Sequence, residues 1–427
     1  MAIANGGAVQ VTSPAAEGKY TAQLALIVAL FGGIGFITAM NDVLVPHFKD
    51  LFHLTNVKAL LVQFAFFGAY FLLAIPSGKI VGRIGYRWGM IASMCVIGCG
   101  LLLFLPASII IAYPLFLLAL FVVGCGLALL QVAVNPYISA LGDPARAASR
   151  LNLAGGLNSV GGTLAPRVGA AFVFIAAGAT QAQLAQSVRM PYVILGVMAF
   201  AMALVTWLVP LPEIVPQSAA GETLSGSAWN FRQLRYGLFG IFFYVGAEVT
   251  VGSLIINYLG QPSMGGMSHL DASKYVSLYW AGAMVMRFIG FVVLRHVKQS
   301  HALAFVSFFG VIAILVAIFG HGAPAMWAIV SCGLYNSVMW PCIFPMSIEG
   351  LGKYTSQGSG LLVMMIVGGA VVPEIQGLVA DHHGYQASFI VVLACYLYVL
   401  FFALNGHKPG KGAEPVDALE AASPAVV

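Results

Sequence analysis

Charge is what this 427-residue chain most lacks: Asp, Glu, Lys and Arg make up 8% of it, against 60% hydrophobic residues. With a mean hydropathy of +0.94, it has too little polar surface to wrap an apolar core in water, so a soluble globular fold is excluded and lipid is the expected solvent. Period-two alternation is also missing. The apolar runs far exceed the roughly 9–11 residues of a membrane strand, which excludes a β-barrel. Histidine and cysteine do not cluster: the nine histidines fall at helix ends or in loops, and the six cysteines (Cys95, Cys99, Cys125, Cys332, Cys342, Cys395) lie inside apolar segments. Cys95 and Cys99 share a helix face but have no His or acid at matching spacing, so they read as small packing residues. A membrane-embedded enzyme would need such groups as metal ligands, nucleophile or base, and no cofactor or metal is expected. The stretch before Lys19 lacks a charged-then-apolar pattern with a cleavage site, so no removable leader is expected. The glycine pairs follow no strand, which removes a nucleotide-binding reading.

What the chain does have is a string of apolar segments of about 20 residues or more, long enough to cross a bilayer as helices. They are expected at 21–45, 56–81, 88–105, 110–140, 149–178, 190–210, 234–260, 272–296, 302–320, 325–347, 355–380 and 385–405. The breaks after the even-numbered spans hold Lys79, Arg83, Arg87, Arg146, Arg150, Arg232, Arg235, Arg295, Lys298 and Lys353, whereas the opposite loops hold Lys49, Lys58, Arg189 and Lys274. Positive residues stay in the cytoplasm, so both termini are expected there. The net charge of +5 is spread along one membrane face. That distribution suits a membrane protein surrounded by lipid and argues against a nucleic-acid partner.

An internal repeat orders the spans. Gly161-Gly162 followed by Pro166-Arg167 returns as Gly368-Gly369 followed by Pro373-Glu374, and Cys125-Gly126-Leu127 returns as Cys332-Gly333-Leu334, both offset by 207 residues. Asp42, shifted by the same amount, falls beside Glu248. The fold class expected is an all-α membrane protein of twelve transmembrane helices in two pseudo-symmetric six-helix bundles, with a solute site between them near the midplane. The bundles are placed at 1–211 and 234–427, joined by a Pro-, Gly- and Ser-rich linker at 212–233.

Five charged residues sit inside apolar spans: Asp42, Arg167, Glu248, Arg287 and Glu374. Charge at the bilayer centre lies roughly 2.5–3.5 kcal/mol uphill, so such residues face a cavity and mark an ion or substrate path. A transporter is the expectation. Asn41, Gln131, Asn135, Asn158, Asn257, Asn336 and Gln357 add amides at membrane depth or at span edges. Amides and carboxylates suit the hydroxyls of a sugar, and Trp340 is the candidate wall for its ring. Each amide has a second reading as a bond between packed helices, worth about 0.6–2 kcal/mol, and Trp340 one as simple packing.

Asp42 is the candidate for ion coupling, because desolvation favours its protonated form while a nearby cation favours the ionised one; the other reading is a permanent ion pair with Arg167 or Arg287. Glu248 is open between a second proton site, a sodium ligand, a sugar acceptor and a structural partner. Arg167 and Glu374 are expected to pair with neighbours in the opposite half and to stabilise one access state. A channel would not require a half repeat with paired acids, and an exporter of greasy cations fits an amide-rich cavity poorly.

The loop Gly78, Gly82, Arg83, Gly85 and Arg87 resembles the signature between spans two and three of the major facilitator superfamily, with Gly82 where the family carries Asp. Within it, Asn41-Asp42, Pro46 and Phe48 of span one resemble the fucose–galactose–glucose symporter family. So do Gln131, Asn135-Pro136-Tyr137 and Leu141-Gly142 of span four, Arg150, Asn152 and Asn158-Ser159 of span five, Tyr244, Gly246 and Glu248 of span seven, Asn336-Ser337 of span ten, and the run from Glu349 through Gln357 to Gly360. The resemblance covers nearly the whole chain. It implies a monomer in the bacterial inner membrane that imports a hexose with a co-transported cation, H+ foremost, with Na+-coupled or uncoupled transport as the alternative. It also implies a protonatable span-one acid, matched by Asp42. The span-four acid of the fucose branch is Gln131 here, so that two-acid relay does not carry over, and Gly155 replaces a family Gln.

Overall fold

The computed structural model describes residues 20–54, 56–173, 180–212, 214, 227–264 and 266–409. Nearly all of them are helical, as lipid demands: hydrocarbon offers the backbone no hydrogen-bond partner, so each span must satisfy its own N–H and C=O groups. In chain order the helices of the first half are α1 (Thr21–Phe52), α2 (Asn56–Leu102), α3 (Phe104–Ile110), α4 (Tyr113–Ala140), α5 (Ala147–Val173), α6 (Gln181–Ser187) and α7 (Arg189–Leu208). The second half holds α8 (Arg232–Leu259), α9 (His269–Val293), α10 (Gln299–Phe319), α11 (Gly322–Asn336), α12 (Met339–Ile348), α13 (Thr355–Met364), α14 (Gly368–His383), α15 (Tyr385–Ser388) and α16 (Ile390–Phe401).

Among the described residues, ten stretches are long and apolar enough to cross a membrane. One of them, Phe64–Ile110, is two spans in series: Gly85 sits at φ 82°, ψ 165° and divides α2 into 56–84 and 86–102, a backbone region essentially open only to glycine. The twelfth span is α5, which is polar for its 27 residues yet packs against both α1 and α9. The chain is thus an all-helical, multi-pass membrane protein.

Two spans are broken. The tenth is split into α11 and α12 around 337–338, and the eleventh into α13 and α14 across a 3-10 turn at Met365–Val367. Irregular backbone at membrane depth is tolerated only where protein or a wet cavity covers it. α1 runs beyond the expected limit of 45 to Phe52 and takes Lys49 into its last turns. The apolar run stops there, but a helix whose polar end projects past the hydrocarbon need not. Of the expected linker, 213 and 215–226 lie outside the described residues, as do 174–179 at the end of the fifth span.

Packing follows the repeat. α1 lies on α5, and α2 on α4 and α7; correspondingly α8 lies on α14, α11 on α9 and α10, and α10 on α16. The repeated glycines explain why. A Cβ on Gly161 would run into the carbonyl of Gly32 on α1, and one on Gly368 into the carbonyl of Phe242 on α8. Both let a fifth or eleventh span touch a first or seventh span backbone to backbone.

Contacts between the halves are also paired: α5 meets α9, and α2 meets α13. In the first crossing the Ser149 hydroxyl donates to the carbonyl of Phe291 (2.5 Å), Gly156 faces the ring of Phe288, and Gly290 abuts Asn152. In the second, Gly78 lies against the carbonyl of Ser356 and Gly360 against that of Ala74. All these residues lie toward the end of the molecule that carries Lys79, Arg83, Arg146, Arg150, Arg295 and Lys353. Arg150 stabilises that end, donating to the carbonyls of Ile138 (2.9 Å), Ser139 (2.8 Å) and Asp143 (2.9 Å) as α4 finishes, which caps unsatisfied groups and matches the helix dipole.

If the repeated glycines set the helix contacts, Gly161→Val and Gly368→Val should each destabilise the protein by about 1–3 kcal/mol through overpacking. Gly33→Val, where a Cβ meets nothing within 4 Å, should change little. Thermal unfolding of the purified protein in detergent checks this; equal midpoints for all three variants would contradict it.

Candidate functional site

Glu248 lies near the middle of α8, with only 13% of its side chain exposed. Tyr244, one turn back on the same face, donates its hydroxyl to one carboxylate oxygen at 2.9 Å. The other oxygen receives Nη2 of Arg287 from α9 at 3.3 Å. Arg287, 14% exposed, then reaches across the seam: its Nη1 donates to the carbonyl of Gly155 at 3.3 Å and to the hydroxyl of Ser159, both on α5 of the other half. Losing one partner of a buried pair of this kind costs about 3–5 kcal/mol, because the other charge is stranded.

Behind the acid stands a second set of bonds. The Tyr279 hydroxyl donates to the backbone carbonyl of Glu248 (2.9 Å), Asn336 donates its Nδ2 to the Tyr279 oxygen (2.8 Å), and the Tyr396 hydroxyl donates to Oδ1 of Asn336 (2.8 Å). Polar groups thus run unbroken from α16 through α11 and α9 to α8, and through Arg287 to α5. The turn of α8 that bears Glu248 is fixed from behind, while its side chain faces the seam.

The register of α9 brings an aromatic ring to the same face. Trp280 lies seven residues before Arg287, two helical turns or about 10 Å away and rotated by only about 20°. Leu278, Val285 and Val292, exposed and apolar, occupy the roughly opposite face, where lipid belongs. Trp280 is nevertheless 41% exposed. Its ring edge also closes on Gly252 of α8, where a Cβ would stand 3.0 Å from the indole, and Gly252 lies one turn beyond Glu248. The exposed indole thus stands on the Arg287 side of α9, against the turn of α8 that follows Glu248. An aromatic ring near polar groups is the pairing a sugar needs, with ring faces on one side and donors and acceptors on the other.

The remaining expected residues are more scattered. Asn336 is fully buried and both ends of its amide are taken by tyrosines, so in this state it offers nothing to a ligand. Asn257 donates to the Tyr385 hydroxyl (2.9 Å) near the end of α8 remote from the seam contacts. Gln357 accepts from the backbone N–H of Ala228 (2.9 Å) at the basic end. Asn158 donates to the carbonyl of Phe31 on α1 (3.1 Å), and the buried Asn135 donates to the carbonyl of Gln131 one turn back (2.8 Å). Gln131 itself donates to the Tyr70 hydroxyl of α2 (3.1 Å). Trp340 is half-buried and stacks on Phe344 with centroids 5.7 Å apart. Most of these groups act as bonds between elements. Glu374 is exposed on α14, and no ion pair engages it among the described residues. The side chains of Asn41, Asp42 and Arg167 lie outside the described residues.

Sequence reasoning missed Tyr279, Tyr396 and Trp280 as parts of this site. Tyr244 carried a signal, since a hydroxyl four residues before an acid on a helix shares its face. Trp280 carried a weaker one, its spacing of two turns from Arg287.

Residues 24–372 match the Major Facilitator Superfamily. The chain is 43% identical to a glucose/galactose transporter of Brucella abortus, across 93% of this chain and 97% of that protein. It is 29% identical to the L-fucose-proton symporter of Escherichia coli, across 90% of this chain and 93% of that protein. Its fold is similar to the crystal structure of FucP, a transporter of this superfamily in the outward conformation, with a TM-score of 0.83 at 28% identity, across 91% of this chain and 99% of that one. Twelve spans, a half repeat expressed in helix packing and a sequence match over most of its length agree: the chain belongs to the Major Facilitator Superfamily.

Proposed function

We propose that the protein imports a hexose together with H+ by alternating access, across a bacterial inner membrane with the basic end and both termini in the cytoplasm. The observation that carries this reading is the Glu248–Arg287 pair set beside Trp280 on the seam between the halves. An ionisable pair at that depth persists where charge and solute must be handled together. The names of the similar proteins supply the solute class, glucose or galactose in one case and L-fucose with a proton in the other.

In this reading the halves 1–211 and 234–427 rock as units about the crossings of α5 with α9 and α2 with α13. Because those crossings lie at the basic end, the conformation is closed toward the cytoplasm, and the face above Trp280 is where sugar enters from outside. The ring of the sugar lies on Trp280 and its hydroxyls reach Glu248, Arg287 and Ser159. Asp42, whose repeat equivalent Val249 lies beside Glu248, is the coupling acid of the first half. Arg167 and Glu374 act as gating charges.

Reconstituted protein should accumulate glucose or galactose when the outside is acidic, and lose accumulation when a protonophore is added. Accumulation driven by a sodium gradient at equal pH would replace H+ with Na+. Asp42→Asn should abolish accumulation while retaining sugar exchange; full accumulation in that variant would remove Asp42 from coupling. Trp280→Ala should raise the half-saturating sugar concentration by on the order of tenfold, a loss of about 1.4 kcal/mol. Trp280→Phe should recover most of it. Unaltered sugar counterflow in Trp280→Ala would move the sugar elsewhere.

A further inference from the structure

Resting on the alternating-access reading above, we propose that Asn152 and Ser359 load the closed seam toward opening. Each buries hydrogen-bonding atoms that the closed conformation leaves unmet, and each meets water when the halves part at the basic end.

Both residues lie in the crossings that close that end. Ser149 and Asn152 stand one turn apart on α5, and Ser356 and Ser359 stand one turn apart on α13, displaced from the first pair by the 207 residues of the internal repeat. In each pair the first residue bonds across the seam. The Ser149 hydroxyl donates to the carbonyl of Phe291 on α9 (2.5 Å), and the Ser356 hydroxyl donates to the Tyr86 hydroxyl on α2 (3.5 Å). The second residue does not. Asn152 is fully buried, and neither its Nδ2 nor its Oδ1 has a partner among the described residues. Ser359 is equally buried, and its hydroxyl is likewise unmet among them.

The surroundings of the amide show why it is unusual. It lies against Gly290 of α9, where a Cβ would collide with its Nδ2, and the same Cβ would stand 2.7 Å from Val338, at the break between α11 and α12. Leucine has nearly the shape of asparagine, so packing alone does not call for an amide here. What the amide adds is a penalty. A buried polar group without a partner carries the full cost of leaving water, whereas an apolar side chain of the same shape does not. That cost falls on the closed conformation, because parting of α5 from α9 and of α13 from α2 admits water to both groups. The repeat places one unmet group in each crossing, one turn from a bond that opposes it. A carrier that cycles needs two states close in free energy, and this pairing of a bond with an unmet group brings the closed state toward the open one.

Spin labels on Ala145→Cys and His296→Cys, exposed positions of the two halves at the basic end, read the seam as a distance distribution by double electron–electron resonance. The full-length protein in nanodiscs carries Cys95→Ala, Cys99→Ala and Cys125→Ala; the remaining cysteines, Cys332, Cys342 and Cys395, are buried. Asn152→Leu should raise the ratio of closed to open molecules on the order of tenfold, and Ser359→Ala on the order of fivefold, as the unmet groups are removed. In the double variant the two factors should multiply. Ser149→Ala, one turn from Asn152, should move the ratio the other way, because it removes a seam bond. Adding Asn152→Leu or Ser359→Ala to Ser149→Ala should restore the closed population, which keeps the shift measurable where the parent is already mostly closed.

A ratio that Asn152→Leu leaves unchanged in the Ser149→Ala protein, or moves toward open, means that the closed seam already satisfies the amide, and it overturns the proposal. Should Asn152→Leu fail to fold, Ser359→Ala decides by the same criterion. The failures are separable. Labels that hold one distance in every variant, with and without glucose, sink the rocking reading together with this inference, whereas two distances in an unmoved ratio sink the inference alone. The expected shifts in a protein that takes up no sugar in proteoliposomes support the inference and sink the hexose reading.

Discussion

A carboxylate in the middle of a membrane helix has no water to stabilise it, so everything near it must be arranged to do so. Around Glu248 the requirement is met by three donors from two helices: the Tyr244 and Arg287 side chains on the carboxylate and the Tyr279 hydroxyl on the backbone carbonyl. One of those donors also belongs to the opposite half by contact. That single fact links electrostatics to conformation. In a protein whose halves were fused at this point the pair would be a brace. Here the same contact lies on the surface along which the two halves meet, so the pair is one of the contacts that hold the seam together.

The seam is built to be parted. Its two crossings are related by the internal repeat, the fifth span with the eighth and the eleventh with the second, and both use small residues that let backbones touch. Such contacts depend on close fit and neutral hydrogen bonds rather than on a large apolar core, so they can be exchanged for a related set without exposing much hydrophobic surface. α5 shows the consequence in its composition. It is polar for a span because its Asn152, Asn158, Ser159 and glycines serve helix neighbours and the opposite half instead of lipid.

The architecture was legible in the sequence to a large degree, and for physical reasons. Twenty-residue apolar runs have few alternatives, and Gly161 and Gly368 marked the repeat because a backbone contact tolerates only one residue type. Gly85 marked the break of α2 in the same way. The site was legible only in part. Glu248 and Arg287 stood out as charges where none should be, but nothing local revealed that they pair, since the residues lie on different helices. The amides misled more. Asn336, Asn158 and Gln357 have the donors and acceptors a sugar would use, yet each is engaged by protein. Whether an amide meets a helix or a ligand depends on which face it occupies, which is a property of the packed bundle. For the same reason Trp340 and Trp280 could not be ranked from sequence: the first meets Phe344, and the second is exposed on α9 beside Gly252 of α8.

Engagement of the amides has a further implication for how a polyol is held. If the neutral hydrogen-bonding groups are committed to keeping helices in register, binding falls to groups that can change partners: a guanidinium with several N–H donors, a carboxylate with two oxygens, and a hydroxyl. Arg287, Glu248 and Ser159 are such a set, with Arg287 bonded to both of the others. In the proposed reading, a sugar entering beside Trp280 competes for those bonds instead of finding vacant ones. Solute recognition at those residues would then perturb a contact that joins the two halves. A shared element of this kind gives a neutral solute and an ion a common set of bonds through which the binding of one can affect the other.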